Sequence, residues 1–131
     1  MYLTRVTVDV DRLVYVFLAD KKFRYENGQS RIVYVGTTKR GARRMAASAA
    51  QRSDEILGLR GVEAFDVRVV TCKPRQSIRT WHKLERALLL AFRERFGDVP
   101  VCNGTGHRMK EGDEFDHFSR SRVEDIIDEL S

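Results

Sequence analysis

The sequence predicts an α+β fold: a small antiparallel sheet of three or four strands with helices packed on it. Three observations predict it. Short runs rich in Val, Phe and Tyr alternate with polar residues at strand period. Two such runs flank a polar connection that contains Asn27-Gly28, a hairpin-turn pair. A long amphipathic stretch, "SIRTWHKLERALLLAFRERFG", then reads as a helix.

In chain order, "TRVTVDV" alternates Val6, Val8 and Val10 with polar residues and predicts a strand. "LVYVFLA", Leu13 to Ala19, is uninterrupted and predicts a more buried strand. The charged stretch "DKKFRYENGQS" predicts a connection longer than a minimal two-residue turn. "RIVYVG" is the returning strand, and Gly36 ends it where the backbone must bend or approach something closely. From Lys39 to Gln51 the residues favour helix. Arg40, Arg43, Arg44 and Gln51 share one side of that helix, while Ala42, Met45, Ala46 and Ala49 share the other. "VEAFDVRVVTC" places Phe65, Val67 and Val69 on one strand face. The long helix stops at Gly97, and a loop with Gly104 and Gly106 follows. "SRVEDIIDEL" closes the chain as a helix, with Ser121-x-x-Glu124 matching a capping box.

The 131 residues fit one domain, with a core over about 13–105 and a loop and acidic helix over 106–131. Apolar runs such as "ALLLAF" are too short for a membrane span, and the first residues lack a secretory signal's apolar stretch. A cytoplasmic protein with Cys72 and Cys102 as free thiols is expected. Residues 1–110 hold 22 Lys and Arg against 11 Asp and Glu, whereas residues 111–131 hold 2 against 8. A basic body with an acidic tail suits a polyanionic partner, nucleic acid first. The acidic tail is expected to lie across the basic face.

One residue breaks the pattern of the long helix. With Trp81 at zero degrees, Ile78, Leu84, Leu88, Leu89, Phe92 and Phe96 fall within about 80 degrees of it, and Glu85 lands at about 40 degrees. A carboxylate inside an apolar stripe is costly unless it is paired or binds a metal. Arg95 also falls on the stripe, but its long stem lets its charge reach solvent. Glu85 is therefore a candidate ligand for a hard cation, or the partner of a structural arginine. Asn103, in "VCNGTG", reads by itself as a turn residue.

Taken in order, Leu13-Val14-Tyr15, Tyr34-Val35-Gly36, Arg44, Glu85 and Asn103 resemble the motifs of the GIY-YIG nuclease superfamily. Arg44 stands eight residues after Gly36, at the family's offset. The resemblance implies metal-dependent hydrolysis of phosphodiesters, in DNA before RNA. It implies one divalent cation, Mg²⁺ or Mn²⁺, held by Glu85. It also implies that Arg44 contacts the scissile phosphate, that Tyr34 activates or orients water, that Tyr15 supports the site, and that Asn103 organises it. A tyrosine with an ordinary pKa near 10 is a poor base at neutral pH. Lys39, Arg40 and Arg44 are expected to lower that of Tyr34. Lys39, Arg40 and Arg43 are expected to bind phosphates generally.

Two departures mark the proton-handling side. The first motif lacks its leading glycine, and Ser48 stands where many members carry His or Tyr. A nucleic-acid-binding module that has lost chemistry is the alternative on the same fold, and a small protein-interaction domain is a third reading. Specificity would come from this domain, a homodimer or a partner chain. A second metal candidate gathers His107, Asp113, Glu114, Asp116 and His117, although their spacing matches no standard site and a solvated acidic loop is the plainer expectation.

Overall fold

The structure, a computed structural model, describes residues 2–3, 13–38, 41–59, 61–70 and 80–131; the side chains of residues 2–3, 13, 41–46 and 80 fall outside the description. The expected strand around Val6, Val8 and Val10, and residues Lys39, Arg40, Cys72 and Ile78, lie outside the described residues.

The elements run β1 (Tyr2–Leu3), β2 (Leu13–Tyr25), β3 (Gly28–Thr38), α1 (Gly41–Leu57), β4 (Phe65–Val70), α2 (Thr80–Phe96), α3 (Glu114–His117) and α4 (Arg120–Leu130). The sheet order is β1-β4-β2-β3. Its three long strands are antiparallel, and the two-residue β1 adds to β4 in parallel. The fold is thus α+β with helices flanking a small sheet, as the sequence predicts.

Central β2 accounts for its unbroken apolar run. Val14 to Ala19 are all buried, and alternate residues enter two different cores. Val14, Val16 and Leu18 meet Leu84, Leu88 and Phe92 of α2 and Val123 and Ile127 of α4. Tyr15, Phe17 and Ala19 meet Ala49 and Ile56 of α1 and Phe65 and Val67 of β4. The sheet is therefore covered on one face by α1 and on the other by α2 and α4.

The hairpin is longer and tighter than expected. Strand β2 continues through the charged stretch to Tyr25, which pairs with Gly28 across the two-residue turn Glu26-Asn27. The charges fit because the register breaks: between the pairs Leu18–Ile32 and Phe23–Ser30, four residues of β2 face one of β3. Tyr25 anchors the far end, donating to the Ile32 carbonyl at 2.7 Å and accepting from the Val101 amide at 3.1 Å.

The stripe on α2 is buried as the wheel predicts, and Gly97, at φ +93°, caps the helix by donating to the Arg93 carbonyl at 2.8 Å. Arg95 reaches solvent and pairs with Asp128 on α4. The capping box at Ser121 does not form. Helix α4 starts two residues earlier, with Ser119 at its N-cap and the Ser119 hydroxyl hydrogen-bonded to that of Ser121.

The acidic tail does not lie over α1. It is bound to the opposite layer: Val123 and Ile127 are buried with α2, while Arg86 pairs with Glu114 at 2.6 Å and Arg120 with Glu94 at 3.0 Å. The apolar pair on α4 decides this, since its burial outweighs exposed charge attraction to a basic face elsewhere.

Candidate active site

The hairpin brings Tyr15 and Tyr34 together above Gly36. Tyr15 pairs directly with Gly36 across the strands. A side chain on residue 36 would place its Cβ 2.6 Å from Cε1 of Tyr34 and 2.8 Å from both Cζ and Oη of Tyr15. Gly36 is thus required by close approach, not by chain termination: β3 runs on to Thr38. The aim of Tyr34 comes from a bulge. Phe17 pairs with Tyr34 and Leu18 with Ile32, so Val33 is extra on β3. Val33 and Tyr34 both then join the core on the α1 side, where strict alternation would separate them. The rings of Phe17 and Tyr34 lie 5.2 Å apart and those of Tyr15 and Tyr34 6.1 Å apart.

Helix α1 supplies the facing wall. Between it and the hairpin lies a cavity of about 440 Å³. Strands β2 and β3 contribute Tyr15, Tyr34, Thr37 and Thr38 to its lining. Helix α1 contributes Ser48, Gln51, Arg52 and Glu55, residues spaced to share one helical face. The Tyr15 hydroxyl donates to Ser48 Oγ at 3.0 Å. The Arg52 guanidinium lies over the Tyr34 ring, 4.1 Å from its centroid. Arg44 occupies the helical position one turn before Ser48; its side chain and that of Arg43 fall outside the description.

Burial, above all, pushes the Tyr34 hydroxyl up to about 12; Tyr15 adds to the rise, Arg52 opposes it, and Glu85 adds a smaller increment. The cations expected to lower it, Lys39, Arg40 and Arg44, have side chains that lie outside the described residues. Among the described residues, desolvation outweighs the opposing charge of Arg52, which lies over the ring face. Tyr34 is a neutral hydrogen-bonding group at neutral pH.

Glu85, on α2, is half-buried and outside the cavity lining, yet close enough to bear on the titration of Tyr34. Burial raises its own pKa to about 7, with Arg86 pulling the other way. Among the described residues its carboxylate makes no hydrogen bond or ion pair, so the structural-arginine explanation finds no partner there. Arg86 is instead committed to Glu114 at 2.6 Å and to the Lys110 carbonyl at 2.8 Å. A half-buried carboxylate with no partner among the described residues fits a hard divalent cation. No group of three or more His, Cys, Asp or Glu that could hold a metal occurs among the described residues. Among the described residues, Glu85 is the carboxylate that would hold such a cation.

Asn103 is buried and uses its amide as a strand. Its Oδ1 accepts from the Val35 amide at 3.0 Å, and its Nδ2 donates to the Val35 carbonyl at 2.9 Å. The Cys102 amide donates to the Val33 carbonyl at 2.8 Å. Residues 102 and 103 thereby complete the outer edge of β3 and hold the backbone between Tyr34 and Gly36. Replacing Asn103 by Ala strands two buried backbone groups. Chemical denaturation of Asn103→Ala should show a loss of roughly 1–3 kcal/mol, and the loss should be smaller for Asn103→Gln only if its longer amide still spans Val35.

The second metal candidate does not assemble. Asp113 is held by Lys83 and His117, Glu114 by Arg86 and the Gly112 amide, and His107 by Asp98. Lys83 and then His117 hold Asp113 below the usual carboxylate range, as salt-bridging groups do. These contacts fasten the loop to α2.

Sequence reasoning missed Arg52 and Glu55. The signal was present in their helical spacing from Arg44 and Ser48, but a charge on an exposed helix face carries no mark of a cavity beneath it.

Comparison of the chain with protein-family models, curated proteins and solved structures returned no match.

Proposed function

We propose that this chain is a divalent-metal-dependent endonuclease that hydrolyses phosphodiesters, in DNA before RNA, with a site resembling that of the GIY-YIG nucleases. One observation carries the reading. Two tyrosines converge over an obligatory glycine, facing the helix that bears Arg44, and Glu85 bears electrostatically on one of them while making no hydrogen bond or ion pair among the described residues. In this reading Tyr34, neutral and buried beside Tyr15, orients the attacking water through its hydroxyl. Tyr15 is held by Ser48 and fixes the floor of the site. Arg44, with Lys39, Arg40 and Arg43 near it in the sequence, receives phosphate charge. A Mg²⁺ or Mn²⁺ ion at Glu85 supplies Lewis-acid stabilisation of developing charge. Asn103 positions the Tyr34-Val35-Gly36 backbone.

The test is nicking of supercoiled plasmid with Mg²⁺ or Mn²⁺ by wild type, Arg44→Ala and Glu85→Ala. Nicking by wild type alone is expected; a folded wild type that cuts neither DNA nor RNA refutes the proposal. The second reading, a binding module without chemistry, draws on the raised pKa of Tyr34 and on Ser48 at a position where His or Tyr would handle protons. DNA binding without cleavage selects it.

Glu85 also sets a pH dependence. Its folded pKa lies above the ordinary 4.5, at about 7, so the folded chain binds more protons than the unfolded chain in that window. Its contribution to stability therefore falls as pH rises from about 4.5 to about 7. A cation must displace the proton to bind. Mn²⁺ should accordingly raise Tm more at pH 8 than at pH 6 in thermal melts, and Glu85→Ala should abolish the difference.

A further inference from the structure

We infer that Arg52 is a further phosphate-binding cation, in the cavity between α1 and the hairpin, and that Glu55 is its resting counter-ion, displaced when a nucleic-acid phosphate enters. The inference rests on the reading that this cavity receives nucleic acid. Arg52 is fixed from three sides. Its guanidinium stacks on Tyr34, its Nη1 donates weakly to the Cys102 carbonyl at 3.5 Å, and the same Nη1 stands 3.6 Å from Glu55 Oε2. The ring and the carbonyl hold the guanidinium plane in place, so its orientation does not depend on Glu55. The carboxylate is the replaceable contact: it is an exposed pair one turn along the helix, with Arg52 at 34% and Glu55 at 53% side-chain exposure. Pairs of this kind are weak in water and are readily exchanged for a bidentate phosphate.

A carboxylate in a cavity meant for a polyanion is otherwise unfavourable. Glu55 sits on the α1 face that holds Ser48 and Arg52 and turns toward the same space. It occupies the cation while the cavity is empty and repels a phosphate that arrives without displacing it. The pair therefore sets a threshold on binding.

The experiment is fluorescence anisotropy of a labelled 20-base-pair DNA duplex in EDTA, over a salt series, with wild type, Glu55→Gln, Arg52→Ala and Glu55→Gln/Arg52→Ala. Circular dichroism checks folding, and Arg52→Gln replaces Arg52→Ala if the latter does not fold. Glu55→Gln should tighten binding about threefold or more, as removal of a competing exposed pair and its repulsion requires. Arg52→Ala should weaken binding and lower the log–log salt slope by about one. The double variant should match Arg52→Ala, with the Glu55→Gln gain gone. Three results overturn the inference: no gain in Glu55→Gln, the same gain in the Arg52→Ala background, or no duplex binding by wild type. Cleavage plays no part in this assay. The predicted binding pattern in a protein that fails to nick plasmid with Mn²⁺ would refute the nuclease reading and leave the pocket assignment standing.

Discussion

Glu85→Gln should reduce plasmid nicking by at least about 100-fold while leaving the fold intact or firmer. Substitution of groups that merely support a metal ligand costs about 10- to 100-fold, so loss of the only carboxylate expected to hold the cation should reach the upper end or beyond. The fold should tolerate it because Glu85 is half-buried, is raised to about 7 by desolvation and makes no hydrogen bond or ion pair among the described residues. A neutral amide of the same shape avoids that desolvation. At pH 8 without metal, Glu85→Gln should therefore melt no lower than wild type. Loss of nicking with an unchanged or higher Tm separates a functional carboxylate from a structural one. Wild-type nicking in Glu85→Gln would remove Glu85 from the site.

Gly36→Ala should damage the site more than any other single methyl group. The added Cβ meets Tyr34 at 2.6 Å and Tyr15 at 2.8 Å, inside any normal carbon contact. Neither ring has an easy retreat. Tyr15 is buried and tied to Ser48, and Tyr34 lies between Phe17 and the Arg52 guanidinium. Overpacking of this kind costs roughly 1–3 kcal/mol, which denaturant titration would resolve. Activity should fall further than stability, by about 100-fold, because a displacement on the order of 1 Å at a positioned group has that effect. Full nicking by Gly36→Ala would show that the paired tyrosines do not form the reacting site.

Much of the candidate site is legible in the sequence because its signals are local. Tyr34-Val35-Gly36 ends a recognisable apolar run, and Glu85 is conspicuous because the helical period places it among Trp81, Leu84, Leu88 and Phe92. The burial of the α2 stripe and of β2 on both faces follows from residue type and spacing. Other features are not local. The two-residue turn after Tyr25 depends on a register break that the charged letters of 20–24 conceal. Asn103 looks like a turn residue until its amide is seen paired to Val35, 68 positions away. Ser48 reads as a missing His or Tyr, whereas it holds the Tyr15 hydroxyl.

Residue order alone is enough to read the three long strands and three long helices, though not α3 or the full length of the hairpin, together with the apolar faces that bury them and the tyrosines, glycine and glutamate that any chemistry here would use. Side-chain periodicity and residue size suffice for that. Tertiary packing fixes where Tyr34 points, through the extra residue Val33 in the bulge, and brings Arg52 over its ring. It also decided that the acidic tail is bound to α2 and leaves the α1 face uncovered by it. Register, ring contacts and ion pairing join positions far apart in the chain. They are settled by which surfaces pack best in three dimensions, a quantity that no run of neighbouring residues encodes.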